Sequence, residues 1–508
     1  MRSPKAPSLL DSLIPILSLI GLLSLAVYLF GSDAVSGPTQ IVLTVGTAIA
    51  SIVAIRNGYR WSDIQQAIVA GIGTAMGAIL ILLSVGALIG AWLISGTVPS
   101  LIYYGLDLLD PRFFFAASCL ICSIASLATG SSWTTAGTLG VALIGVSIGL
   151  GVSPAITAGA IVSGAYFGDK MSPLSDTTNL APAVAGSELF EHIRHMVWTT
   201  GPSYLLAMLL FLIVGFGVDA EAGGGALAAL QSTLDSSFNI TPWTLIPLIV
   251  VLWLAARKAP PLPTILGGAL LGGVLAVVLQ PGVVLAYADS PELATPLAMA
   301  KGVWLAFADG YVSATGVPPV DDLLTRGGMS SMLRTIWLIL TALAFGAVME
   351  HSGMLLRLIQ SALRAARSTG SLVATVVMSC IGMNVVAADQ YISIVLPGKM
   401  FKAEFQRRGL EAKNLSRVLE DSGTLTSSLV PWNTCGAYMS ATLGVATLAY
   451  LPFAFFNLIN PLVSIVYGIT GITITRIEPA APVEPAGARQ RDAAAETVRK
   501  ESAKAGAA

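Results

Sequence analysis

Four of the long apolar runs in this chain are interrupted at their middles by clusters of small and polar residues. The clusters read ATGSSWTTAG (128–137), GDKMSPLSDTTN (168–179), NVVAADQY (384–391) and SSLVPWNTCG (427–436). The runs that contain them cover 113–150, 154–186, 372–397 and 415–446, and others lie at 13–30, 41–55, 68–94, 199–218, 242–256, 262–279, 332–349 and 451–467. Each is about long enough to cross a bilayer core, which takes about 20 residues, or to dip in and return. Only 11% of the residues are charged, against roughly 25% in soluble domains, so the apolar side chains must face lipid. Non-helical backbone at membrane depth is tolerated only where protein or a water-filled cavity surrounds it. The four interruptions therefore mark one site rather than four separate defects.

The interruptions recur in the same order in each half. A helix (68–94; 332–349) precedes a long segment with a polar tip, and a long helix broken by a Ser/Pro/Thr-rich stretch follows. Laid on each other, PLSDTTNLAPAVAG and LVPWNTCGAYMSATLG set Asp176 and Thr177 opposite Asn433 and Thr434. With re-entrant hairpins around Ser132 and Asp389, each half holds five spans plus one hairpin, and the odd number inverts the second half. The expected fold is an all-α polytopic membrane protein of two inverted repeats with broken helices at the midplane. The repeats are 1–240 and 241–477, with an extracytoplasmic connection at 281–330. A disordered cytoplasmic tail is expected at 478–508, where Ala, Pro, Glu, Arg and Lys supply too little to bury.

The basic residues test that topology independently. With both termini inside, only Arg112, Lys301, Arg326 and Arg334 fall outside and Lys170 within the membrane, while every other Lys and Arg lies on the cytoplasmic side. This is the asymmetry membrane insertion favours. Outer loops carry acids instead, among them Asp33, Asp107, Asp219, Glu221 and Asp321. The run at 13–30 lacks a small-residue cleavage site, so it reads as a span of the cytoplasmic (inner) membrane and not as a removable leader.

A net charge of -1 gives no support for nucleic-acid binding. Cys119, Cys122, Cys380 and Cys435 lie in apolar segments without histidines at zinc spacing, so neither disulfides nor zinc are expected. An ionised carboxylate near the midplane is costly and needs an explanation; the candidates are Asp169, Asp176, Asp389, Glu420 and Asp421. Asp169 and Asp176 flank the first break together with Ser172, Thr177, Thr178 and Asn179, an oxygen-rich set that suits a hard cation such as sodium. Protons then compete with sodium for the same oxygens, which is sufficient for exchange. Alternatives stay open. Asp169 and Lys170 could form a structural pair, Glu420 and Asp421 could be solvated at the cytoplasmic end, and Ser131, Ser132, Thr134 and Thr135 could merely satisfy helix carbonyls. His192, His195 and His351 fall near cytoplasmic helix ends, where headgroup contact is the plain role.

The run GAYFGDKMSPLSDTTNLAPAVAG resembles the signature of the NhaC family of sodium/proton antiporters, and LEDSGTLTSSLVPWNTCGAYM and ADQYISIVLPGKMF resemble its second-half motifs. The resemblance covers most of 68–458. It implies the ion-transporter superfamily fold and a site combining Ser132 and Thr134 with Asp169, Ser172, Asp176 and Thr177, and Asp389 with Asn433 and Thr434. Sodium is placed at Asp176, Thr177, Asn433 and Thr434. The family also contains exchangers of malate for sodium and lactate.

The expectation is a secondary transporter exchanging sodium for protons by alternating access, without a cofactor, sodium being its cargo. A sodium- or proton-coupled carboxylate exchanger of the malate/lactate type is the alternative, and it would need a cation at the site, for which Lys170 is the strong candidate. A channel is disfavoured by the paired breaks, and an enzyme by the absence of HExxH and GxSxG. Partners are sodium, protons and lipid; the sequence leaves the oligomeric state open, a homodimer included.

Overall fold

Short polar side chains, proline and glycine decide where a helix starts and stops, and this chain uses them inside its apolar runs. The computed structural model describes residues 4–31, 34, 37–218 and 224–477. The expected tail at 478–508 and the acids Asp33, Asp219 and Glu221 lie outside them. Among the described residues all regular structure is helical, apart from isolated bridges joining Tyr311 to Arg326 and Leu410 to Arg476. Eight helices are long and apolar enough to cross a membrane, or ten if each of two bent pairs counts as one span. The chain is a polytopic membrane protein, and large apolar side chains such as Leu205, Val278 and Trp304 stand exposed on its outside.

One expectation about boundaries changes. The run 68–94 is two helices, Trp61–Thr74 and Met76–Ile94, joined at Ala75. The first of them lies on Leu333–His351, where a Cβ on Gly71 would come within 2.6 Å of the Ala347 Cβ. The stretch 281–330, expected as the connection, contains the helices Pro281–Ala288, Thr295–Asp309 and Pro318–Leu324. Asp321 closes the loop before the last of these, accepting from Thr315 N at 2.7 Å and from the Ser313 hydroxyl at 2.7 Å.

The polar clusters sit on two helical hairpins and two interrupted helices. The first hairpin is Phe114–Thr129 followed by Ser132–Thr135, which continues through a π turn at Ala136–Gly140 into Val141–Gly149. Gly130 turns the tip at φ +68°, and Ser131 caps the return, accepting from Thr134 N at 3.1 Å. The first interrupted helix is Pro154–Met171, restarting as Asp176–Ala185 under a Ser175 cap. In the second hairpin Thr369–Val386 turns at Ala388, held at φ +56°, into Gln390–Arg407, whose cap is Asp389 accepting from Ile392 N at 2.9 Å. The second interrupted helix runs Ala412–Leu419, a π turn at Glu420–Thr424 and Leu425–Ser427, then restarts as Thr434–Leu443 under Asn433, which accepts from Cys435 N at 3.0 Å.

Each tip rests on a break. A Cβ on Gly130 would meet the Leu174 Cβ at 2.6 Å, and Thr434 N donates to the Ala388 carbonyl at 3.0 Å. Small residues allow the long helices to approach as well: a Cβ on Gly164 would fall 2.1 Å from the Cys119 carbonyl oxygen, and one on Gly168 2.4 Å from Leu127 N. Cys119 and Cys122 are buried, unbonded members of that contact. The halves meet where Trp133 stacks on Tyr438 with centroids 3.9 Å apart, the Tyr438 hydroxyl donating to the Trp133 carbonyl at 2.9 Å.

Gly164→Leu should force the first hairpin off the first interrupted helix and lower stability by about 1–3 kcal/mol, the usual cost of overpacking. Gly267, where a Cβ would meet nothing within 4 Å, should accept Ala without loss. Thermal melts of both variants in one detergent check the contrast.

Candidate functional site

Both tips and both breaks line one cavity of about 750 Å³, together with the segment from Lys258 to Pro261. Of the residues singled out in the sequence, Ser132, Thr134, Asp169, Asp176, Thr177, Asn179, Asp389 and Thr434 line it. Four elements distant in sequence thus put three carboxylates and a set of hydroxyls on one wall.

The carboxylates differ in what holds them. Asp169 accepts from the Ser132 hydroxyl at 2.6 Å and from Ser132 N at 3.2 Å, so it ties the first hairpin tip to the first interrupted helix. Asp389 gives one oxygen to its helix cap. Asp176 opens its helix, stands exposed to the cavity and has no hydrogen-bond partner among the described residues. Two of the three acids therefore sit at helix N-termini, where the helix dipole stabilises negative charge. Next to Asp176 the Thr177 hydroxyl lies 3.2 Å from that of Ser175, and Asn179 donates its amide to the Ser175 carbonyl at 2.7 Å.

Three candidates serve the backbone instead of the cavity. The Ser172 hydroxyl donates to the Leu127 carbonyl at 2.9 Å. Thr178 donates to the carbonyls of Asp169 and Lys170 at 3.1 and 2.9 Å, so the first break frees fewer carbonyls for a cation than its sequence suggests. Asn433 donates to Asn384 through its amide and spends its oxygen on the cap. Of the hydroxyls in the first tip, Thr135 does satisfy a helix carbonyl, that of Ser131, at 3.0 Å. Sequence reasoning passed over Gln390, Tyr391 and Cys435, which also line the cavity; their only signal was adjacency to Asp389 and Thr434. Among the described residues no three His, Cys, Asp or Glu side chains converge, so a cation here would rely on hydroxyl, amide and carbonyl oxygens beside one or two carboxylates, a set that fits a hard monovalent ion.

Several expectations about charge are corrected behind the break. Lys170 does not pair with Asp169. It is fully buried, forms an ion pair with Asp421 and donates to Asn460 at 2.9 Å, while Asp421 also accepts from the Thr199 hydroxyl at 3.0 Å. Glu420 and Asp421 are not solvated but fully buried. His192 is fully buried and His195 nearly so, which removes headgroup contact for both; His351 alone is exposed, its ring edge-on to Tyr59.

A profile of the Na+/H+ antiporter family matches residues 164–472. The Na(+)/H(+) antiporter NhaC of Alkalihalophilus pseudofirmus is 41% identical over 435 residues, covering 86% of this chain and 91% of its own. The malate-2H(+)/Na(+)-lactate antiporter of Bacillus subtilis is 39% identical over 439 residues, covering 85% and 90%. The arginine/ornithine antiporter ArcD of Halobacterium salinarum is 34% identical over 473 residues, covering 92% and 93%.

Removing one partner of a buried ion pair leaves an uncompensated charge, which costs about 3–5 kcal/mol, whereas replacing both by apolar groups is close to neutral. Lys170→Met should therefore destabilise the protein severely, and Lys170→Met with Asp421→Leu should recover most of the loss. Unfolding of the three proteins in detergent measures it.

Proposed function

This chain belongs to the Na+/H+ antiporter family, and we propose that it exchanges sodium for protons across the cytoplasmic membrane as a secondary active transporter. The observation that carries the reading is the single cavity on which Asp169, Asp176 and Asp389 meet hydroxyls from both tips and both breaks. Sodium binds beside Asp176, Thr177 and Thr434, with Asn433 holding the second break in shape from behind. Because the carboxylates are the groups that sodium needs and protons neutralise, the two cargoes exclude each other, and alternating exposure of this one site converts a gradient of either into movement of the other.

The arrangement of hairpins and interrupted helices supports two inverted repeats, with both termini cytoplasmic. The distribution of basic residues assigns Arg257 and Lys258 to the cytoplasm, and the segment from Lys258 to Pro261 lines the cavity; on this reading the cavity opens inward. The carboxylate-exchanger alternative loses Lys170, which is neutralised by Asp421 away from the cavity, and would have to rely on Lys258, which lines it.

Purified protein in liposomes with a trapped pH dye tests the reading. Sodium added outside should alkalinise the lumen, malate and lactate should not, and Asp176→Asn should abolish the sodium response in a folded protein. A response to malate or lactate without sodium overturns it in favour of the alternative.

Competition for one site has a further signature. Apparent sodium affinity should weaken as pH falls through the titration of the site carboxylate, by about tenfold per unit if one proton competes and about a hundredfold if two do. Affinity that stays constant from roughly pH 6 to 9 while exchange continues would place the proton on another group.

A further inference from the structure

Behind the first break, away from the cavity, lies a second set of buried polar groups that sodium binding does not use. Glu420 is fully buried and accepts from the Thr424 hydroxyl, with Lys170, Asp169 and Thr177 in electrostatic reach. Lys170 is held by Asp421. One helical turn before Asp421, the fully buried Arg417 donates to the Thr473 hydroxyl at 2.7 Å and has Asp421 and Tyr467 in reach. His192 lies in reach of Lys170 and His195, and His195 in reach of Arg417 and Lys413. The groups form a run between Leu189–Phe216, Pro154–Met171 and the second interrupted helix, and His195, 7% exposed, is where it approaches solvent.

Their hydrogen bonding is incomplete. Both ring nitrogens of His192, Nε2 of His195, Nε and Nη2 of Arg417, Oε1 of Glu420 and Oδ2 of Asp421 are buried without a partner among the described residues. Such atoms almost always have a partner in folded proteins, protein or water, and leaving one unmet costs about 1–3 kcal/mol. Internal water settles in polar spaces that offer each molecule two to four partners, and avoids apolar ones. Unmet nitrogens of His192, His195 and Arg417 beside unmet oxygens of Glu420 and Asp421 are what a file of bridging waters requires.

We infer that this seam is a hydrated proton path, leading from the face at His195 and Lys413 to Glu420 behind the first break, separate from the cavity through which sodium enters. The inference rests on the antiport reading. Each hop breaks one O–H or N–H bond and forms another on the next water or ring nitrogen, so the file returns to its starting state after the waters reorient and nothing is consumed. Sodium and proton reach the same site from opposite sides of one helix break, and neither has to leave the cavity mouth for the other to arrive.

His192 is the place to interrupt the file, since it does not line the cavity and makes no hydrogen bond to the Lys170–Asp421 pair. In liposomes, His192→Leu should cut the turnover of sodium-driven proton flux by about a hundredfold, the lower end of what positioned proton-transfer groups contribute. KM for sodium and its dependence on pH should not move, and the residual flux should acquire a solvent deuterium isotope effect that the native protein lacks. A merely structural injury reduces active protein without creating that isotope effect. A second measurement needs no variant: X-ray radiolysis of the native protein should label His192, which touches bound water, while the equally buried Met349 stays unlabelled. Native turnover in His192→Leu, or an unlabelled His192, overturns the seam. Absence of sodium-driven flux in the native protein overturns the antiport reading instead, and the labelling then decides whether the seam is wet.

Discussion

A helix that stops inside a bilayer leaves as many as four amides or carbonyls with no water to turn to. This chain stops helices repeatedly in its buried interior, where the same demand arises, and the arrangement of its hairpins follows from meeting it. Each restart carries its own cap, from Ser131, Ser175, Asp389 or Asn433. What the caps leave over is met by the neighbouring element, as when Ser132 binds Asp169, Ser172 and Ser126 reach across to the partner helix, and Thr434 N finds the Ala388 carbonyl. The glycines at 130, 164 and 168 are the geometric condition for this, since a side chain at any of them would hold the partner too far away to bond.

The Lys170–Asp421 pair belongs to the same logic, extended to charge. Two ions taken out of water regain little net stability from each other, so their value lies in what they specify. Lys170 ends the first interrupted helix and Asp421 lies in the π turn of the second, and a buried pair tolerates only the register in which the two meet. Thr199 and Asn460 complete the coordination from two further helices, which makes the pair a junction of four elements in the low-dielectric interior.

The all-helical membrane fold and the places where its helices break were legible in the sequence, because a Ser, Asp and Asn cluster inside an apolar run is a sharp contrast that lipid makes expensive. Contacts between distant segments were not: nothing in one sequence records that Lys170 faces Asp421 or that Trp133 meets Tyr438. His192 and His195 were misread because position near the start of a helix predicts exposure only if nothing packs over that turn, and here the second interrupted helix does. The joint at Ala75 left no trace, since neither proline nor glycine occupies it. Around the cavity, the same residue types that suggested ligands turned out in part to be caps, and composition alone does not separate an oxygen that serves the chain from one that faces the cavity.

Because each hairpin tip completes a break, the two cannot part without leaving bare amides and carbonyls on both surfaces. Any opening that separates tip from break must draw water in as it proceeds, and the number of molecules admitted becomes part of the free energy of the step. The conformational cycle of such a protein is then sensitive to the activity of the solvent itself. Osmolytes too large to enter the widening gap would bias the molecule toward its closed forms, at fixed membrane potential and fixed ion gradients.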